Sequence, residues 1–148
     1  MNMRELTQSD GLLLIEASHL FDKEITRDVA ERFLSQEGHH VLIAYEDEKP
    51  AGFVTGVEMI HPDKGTEMFL YELGVDDQFR RQGIGTALVR QLAELAESRG
   101  CYGMWVLTDD GNEAGVGTYA KADGTSRSNQ RMFDWNFKTS STMGDNGE

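Results

Sequence analysis

The chain contains a single cysteine, Cys101, so no internal disulfide can form and stability must come from a packed core. No histidine stands at a suggestive spacing from it, and it reads as a small apolar side chain rather than a nucleophile. Positive charge is scarce: 14 Lys and Arg face 26 Asp and Glu, for a net charge of −12. That balance argues against a nucleic-acid partner and suits a cationic one. An acidic surface also aids solubility by itself, and composition does not choose between the two. No run approaches eighteen apolar residues and the amino terminus lacks an apolar signal core, so neither a membrane span nor export is expected, and the cytoplasm is the expected compartment. The four histidines, His19, His39, His40 and His61, show no metal-ligand spacing, and no metal is expected. Internal repeats are absent.

What is present is one domain's worth of chain. At 148 residues it can bury about two thirds of its unfolded surface. We expect a single domain over residues 1–138 and a small, polar, disordered tail over 139–148. The pattern predicts a strand at Met3–Thr7, a helix at Gly11–Phe21 and a second helix from Thr26, its N-cap, to Gln36. Strands follow at His40–Tyr45, Ala51–Ile60 and up to Val75, with later strands at Tyr102–Thr108 and Arg131–Phe137.

The most informative stretch is Arg80-Arg81-Gln82-Gly83-Ile84-Gly85, which joins the strand-like Met68–Val75 to a helix-like run ending at Arg99. Ile84, Leu88, Leu92 and Leu95 mark one face of that helix, Arg90, Gln91, Glu94 and Glu97 the other, and Gly100 is its C-cap. A glycine-rich turn at a helix start makes an anion cradle: the first amides have no intrahelical partner, the macrodipole is positive, and Arg80 and Arg81 add charge. Two familiar phosphate loops do not fit. G-x-G-x-x-G would need glycine where Leu88 stands, and G-x-x-x-x-G-K-[ST] has no match.

Further on, the turn Asp109-Asp110-Gly111 leads into Asn112-Glu113-Ala114 and a short helix reaching Tyr119 and Lys121. In order and type the two stretches resemble the [RQ]-x-x-G-x-[GA] and N-x-x-A-x-x-x-Y-x-K signatures of the GNAT superfamily of N-acetyltransferases. The resemblance implies an α/β (α+β) fold, a mixed central sheet flanked by helices in which the strand ending at Val75 and the strand Tyr102–Thr108 run parallel and splay apart. It implies acetyl-coenzyme A as co-substrate, held at its pyrophosphate by Arg80, Arg81 and the turn Gln82, Gly83, Ile84, Gly85 and Thr86, with Asn112 nearby, and along its pantetheine arm by the backbone of Leu73 and Val75. Gly74 is then expected as the bulge that opens the slot. Since coenzyme A is a polyanion, so acidic a chain must concentrate positive potential at this turn, giving a basic cofactor mouth and an acidic substrate mouth.

Leu20-Phe21-Asp22-Lys23-Glu24, Leu70-Tyr71-Glu72-Leu73-Gly74-Val75 and Met132-Phe133-Asp134-Trp135 are similar to stretches of the aminoglycoside 3-N-acetyltransferases of GNAT type, over about Leu20 to Phe137. Those enzymes tend to carry Asp at the positions of Glu72 and Asn112, and the usual glycine after Lys121 is displaced by one to Gly124. The resemblance implies acetylation of a primary amine of an aminoglycoside antibiotic by direct attack on the thioester in a ternary complex. Glu72 would accept the amine proton, directly or through water. Alternation puts it on the face opposite Tyr71 and Leu73. An ordinary glutamate pKa of about 4.3 makes a weak base, so the role requires a raised pKa or a water relay; an exposed strand glutamate is the other reading. Tyr119 would protonate the leaving thiolate, and by itself could be a packing tyrosine. Asp109, Asp110 and Asp134 are candidates to hold further ammonium groups, although Asp109 and Asp110 equally suit a turn. Polyamine or protein-amine acetylation and a non-catalytic acyl-coenzyme A module stay open, as does homodimerisation.

Overall fold

The computed structural model describes residues 1–137; the expected tail at 139–148 lies outside the described residues. Five strands, β1 (Asn2–Glu5), β2 (His39–Glu46), β3 (Lys49–His61), β4 (Gly65–Val75) and β5 (Met104–Trp105), form one sheet in sequence order, antiparallel from β1 to β4 and parallel between β4 and β5. This is the mixed sheet that the sequence implied.

Residues 41–44 are buried without a break, because β2 is covered on both faces. Leu42 and Ala44 point to α3 (Ile84–Ser98), where they meet Leu88 and Leu92, while Val41 and Ile43 point to the layer of α1 (Gly11–Glu16) and α2 (Arg27–Ser35), beside Ala17 and Ala30. Thr26 caps α2, its hydroxyl accepting from Val29 N–H at 3.4 Å. Beyond α3, Gly100 takes a left-handed φ of 84°, and the amides of Gly100 and Cys101 return to the carbonyls of Glu97 and Ala96.

Four expectations are corrected. The first helix is α only to Glu16 and tightens into a 3-10 turn at Ser18–Leu20, since from Ala17 on the amides bond three residues back, Leu20 N–H to Ala17 O and Phe21 N–H to Ser18 O, both at 3.0 Å. The strand expected at Tyr102–Thr108 pairs only over Met104–Trp105, because the chain leaves β4 there. Arg131–Phe137 forms no strand: Phe133 and Trp135 alternate as a strand would, but among the described residues no neighbouring backbone runs alongside, and both are more than 70% exposed, at 72% and 74%. The bulge is not at Gly74, which pairs regularly with Phe53. Register shifts between Thr55↔Glu72 and Gly56↔Leu70, making Tyr71 the extra residue.

Candidate functional site

The site begins where β5 departs from β4. Tyr102 N–H donates to Thr66 O at 2.8 Å and Met68 N–H to Gly103 O at 2.9 Å; after the pair Phe69–Trp105 the ladder ends. From Leu70 to Val75, β4 keeps β3 on one edge and, among the described residues, has no strand on the other. Glu72 and Asp76 direct their amides toward β3, donating to Thr55 Oγ1 at 3.0 Å and Ala51 O at 2.8 Å. Because direction alternates along a strand, Leu73 and Val75 present their amides to the open slot.

The bulge decides where Glu72 points. Phe53, Thr55 and Val57 share the α1–α2 face of β3, and their partners Gly74, Glu72 and Phe69 share it on β4, whereas Leu73, Val75, Met68 and Leu70 pack with the α3 core. The Tyr71 ring lies 5.5 Å from that of Phe69, so the extra residue also falls on this face. Glu72 is therefore opposite Leu73 as expected but on the same face as Tyr71, a correction that follows from the bulge having interrupted the two-residue period. Buried Thr55, 3% exposed, supplies the acceptor that the bulged ladder lacks.

Glu72 remains open to solvent, yet partial desolvation raises its carboxyl above the ordinary range and the negative charge of Asp22 adds to the shift. Asp22 reaches this neighbourhood because Phe21 stacks on Phe53 with ring centres 3.8 Å apart and the Leu20 carbonyl lies against Gly74. A Cβ on Gly74 would come within 2.6 Å of the Phe53 ring and 3.3 Å of Leu20 O, so glycine serves close approach here, not a bulge.

At the far end of the slot, Gly83 precedes α3 with φ 81° and Arg81 has φ 64°. Ala87 makes the first intrahelical bond, to Gly83 O at 3.0 Å, which leaves the amides of Ile84, Gly85 and Thr86 without intrahelical partners. The Ile84 side chain is buried in the core, so only its backbone faces an anion. A Cβ at Gly85 would meet Thr118 Cγ2 at 3.4 Å and Val75 Cγ2 at 3.7 Å; glycine there lets α4 (Glu113–Lys121) and β4 close on the helix start. Gln82 and both arginines are exposed. Arg80 pairs with Asp77 at 3.0 Å, and its Nε donates to Val75 O at 3.5 Å; Arg81 has no ion pair among the described residues. Free amides, a left-handed entry and a nearby arginine fit a pyrophosphate.

α4 brings Tyr119, half-buried, against the core on which Leu73 and Val75 also pack, and desolvation raises its phenol above the ordinary range. It therefore stays a neutral O–H donor at neutral pH. Asn112 is the N-cap of α4, its Oδ1 accepting from Gly115 N–H at 3.1 Å while Nδ2 donates to Thr108 Oγ1 at 2.9 Å. After Lys121 the displaced glycine is accommodated: Asp123 takes the left-handed position, φ 73°, and Gly124 N–H closes on Tyr119 O at 2.9 Å. Asp109 and Asp110 are exposed on the turn before α4, where Asn112 N–H donates to Asp109 O at 3.0 Å. Asp134 lies on the exposed stretch after α4 and, among the described residues, no hydrogen bond or ion pair ties it to the others. Cys101 is partly buried, and burial followed by the charge of Glu58 pushes its thiol up, away from a nucleophile's range.

The sequence reading missed Thr55, the role of Asp22 and the position of the bulge. A threonine in an apolar strand, Val54-Thr55-Gly56, was the one available signal for the first.

A parallel strand pair that parts toward the uncapped start of a helix defines a fold class built around a slot, and comparison with known proteins agrees. Residues 5–124 match the acetyltransferase (GNAT) family, and the chain belongs to it. Among curated relatives it is 34% identical over 74 residues to human (Homo sapiens) N-acetyltransferase 8, covering 49% of this chain and 33% of that protein. It is 32% identical over 99 residues to mycothiol acetyltransferase of Mycobacterium ulcerans (strain Agy99), covering 67% of this chain and 27% of that protein. The chain thus spans about a third or less of the length of these two relatives. Among solved structures, an aminoglycoside acetyltransferase, meta-AAC0020, from an uncultured soil metagenomic sample, in complex with sisomicin, superimposes with a TM-score of 0.84 at 20% identity, over 93% of this chain and 96% of that one. Aminoglycoside N-acetyltransferase AAC(6')-Iy in complex with CoA gives a TM-score of 0.71 at 16% identity, over 93% and 100%. At these identities the structures establish the shared fold. Among the described residues no helix is long and apolar enough to cross a membrane, and no group of three or more His, Cys, Asp or Glu is placed to hold a metal.

Proposed function

We propose that the chain transfers an acetyl group from acetyl-coenzyme A to a primary amine of an aminoglycoside, the 3-amino group being the position that the sequence resemblance implies. The observation that carries this reading is the slot itself: slot-facing amides of Leu73 and Val75 at one end of which lie the free amides of α3, with Glu72 beside the bulge. The co-substrate supplies an activated acetyl thioester. The chain's residues supply the rest. Ile84, Gly85 and Thr86 amides with Gln82, Gly83, Arg80 and Arg81 hold the pyrophosphate, and the backbone of Leu73 and Val75 holds the pantetheine arm, the amide near Val75 also polarising the thioester carbonyl. Asn112 acts at this end by fixing the start of α4 against Thr108.

Glu72 takes the proton of the attacking amine. Its raised carboxyl suits it better than an ordinary glutamate, because a base is most effective when its pKa approaches the working pH. Tyr119 gives a proton to the leaving thiolate, whose ordinary pKa of about 8.5 asks little of the acid. Asp109, Asp110 and Asp134 attract the remaining ammonium groups. Support for an aminoglycoside comes from the fold neighbours that act on this class, one of them holding sisomicin.

Thiol release from acetyl-coenzyme A, measured with 2-deoxystreptamine antibiotics, spermidine and lysine peptides, tests the reading. Turnover of the antibiotics supports it. Turnover of spermidine or a peptide amine alone replaces it with polyamine or protein-amine acetylation.

A further inference from the structure

At the root of the slot, three aromatic rings continue across the strand junction. Phe69 lies 4.5 Å, ring centre to ring centre, from Trp105 of β5 and 5.5 Å from Tyr71 of β4. They stand on the same sheet face as Glu72, by the register and bulge described above. Among the described residues no helix covers them: Tyr71 is 62% and Trp105 37% exposed, whereas on the same face the α1–α2 layer buries Phe53 to 4%. The row ends beside Glu72, the carboxylate whose charge Asp22 helps to perturb.

We propose that Tyr71, Phe69 and Trp105 form a platform for the ring of the acceptor, and so select an amine borne on a rigid aminosugar or aminocyclitol over a linear polyamine. The inference rests on the acetyltransferase reading and deepens it. A saturated ring offers an apolar face to aromatic side chains, and its ammonium groups gain from lying over their negative π faces. A rigid ring brings its amine to Glu72 with few rotors to immobilise, whereas a flexible linear polyamine must be ordered along its length. Position supports this: Phe69–Trp105 is the last pair before the strands part, so a ring resting there has an amine at the Glu72 end of the slot.

The test uses Trp105 as its own reporter. The chain has two tryptophans, so Trp135→Phe leaves Trp105 alone. With coenzyme A present, titration with sisomicin is expected to shift Trp105 emission, and spermidine at equal concentration to leave it unchanged. Tyr71→Leu is expected to raise KM for sisomicin about ten-fold with kcat little altered, as loss of one aromatic contact implies, and to leave KM for spermidine unchanged. Tyr71→Phe keeps the ring and is expected to restore the wild-type KM. An unchanged melting temperature and an unchanged acetyl-coenzyme A shift certify folding of each variant.

If sisomicin is acetylated while Trp105 stays silent and Tyr71→Leu is neutral, the platform is wrong and the acetyltransferase reading stands. Equal KM changes for ring and linear amines also overturn it, as does Trp105 emission that responds to protein concentration and not to sisomicin, the mark of a face covered by a second copy. If spermidine is acetylated and sisomicin is neither bound nor acetylated, the substrate reading falls, and the ring preference with it.

Discussion

The two halves of the sheet treat their backbone differently. From β1 to β3 nearly every residue has a partner: β2 is paired with β3 from His39 to Glu46, helices cover both faces, and even Asp10 is tied by Thr7 N–H at 2.7 Å, the Thr7 hydroxyl and Arg4. Between β4 and β5 the ladder lasts two residue pairs and then stops. A continuous ladder on both sides of β4 would be more stable and would bind nothing. One edge of β4 is held by β3 and its Met68 and Leu70 are buried in the core, so its other edge can leave amides for a ligand. Glycines follow the same division. A Cβ on Gly56 would meet Leu92 and Met68 at 2.9 Å, a packing constraint, while Gly83 has open space around it and is distinguished by its φ.

The largest effect is expected at Tyr119. If its hydroxyl serves the open half and its ring only packs, Tyr119→Phe should lower kcat by roughly 10²–10⁴-fold with coenzyme A affinity and melting temperature nearly unchanged. Steady-state kinetics and calorimetric titration check this, and full activity reduces Tyr119 to a packing residue. Leu92→Ala is the converse. Leu92 is completely buried in the core between α3 and the sheet, away from the slot-facing amides, so the substitution should cost about 2–5 kcal/mol of unfolding free energy in urea titrations while acetyl-coenzyme A still raises the melting temperature.

Gly83→Asp places a carboxylate in the cradle at a left-handed φ. Saturating acetyl-coenzyme A at about 100 times its Kd should stabilise the wild type by about 2.7 kcal/mol and the variant not at all. A thermal shift retained by the folded variant removes the cradle assignment. A smaller effect concerns pH. Glu72 must be ionised to act as base, so kcat/KM should fall as pH drops through its raised pKa, and Asp22→Asn, by removing a like charge, should move that acid limb to lower pH. The same upward shift makes ionised Glu72 mildly destabilising: the folded state holds the proton more tightly than the unfolded chain, so this loss develops as pH rises through the raised value. Glu72→Gln should then melt slightly higher than wild type at pH 7, with the difference gone near pH 4. The smallest expected change is Asp123→Gly, which relieves a left-handed aspartate at the end of α4 and should add about 0.5–1 kcal/mol of stability without altering kcat. A loss of stability would mean that the Arg90–Asp123 ion pair, at 3.9 Å, outweighs the backbone strain.

By itself the sequence determined the local features. The apolar period of 84–95 placed α3, Thr26 was legible as a cap, Asn112 as the opening of the helix that reaches Tyr119, and Gly100 as a helix end, because each depends on residues within one or two turns. The glycine-rich turn was legible for the same reason, as was the order strand, turn, helix, strand, helix from Met68 to Lys121. Tertiary structure decided what depends on two strands at once. Whether Phe133 and Trp135 form a strand hinges on a neighbour that the described chain does not provide. The bulge belongs to the pairing of β3 with β4, so it could not be read from β4 alone, and the glycine at 74 pointed to the wrong residue. From that one extra residue follow the side of the sheet on which Tyr71 stands, the capture of the Glu72 amide by Thr55, and the meeting of Glu72 with Asp22 across some fifty residues of chain; register is a relation between strands, and a single strand's sequence carries only half of it.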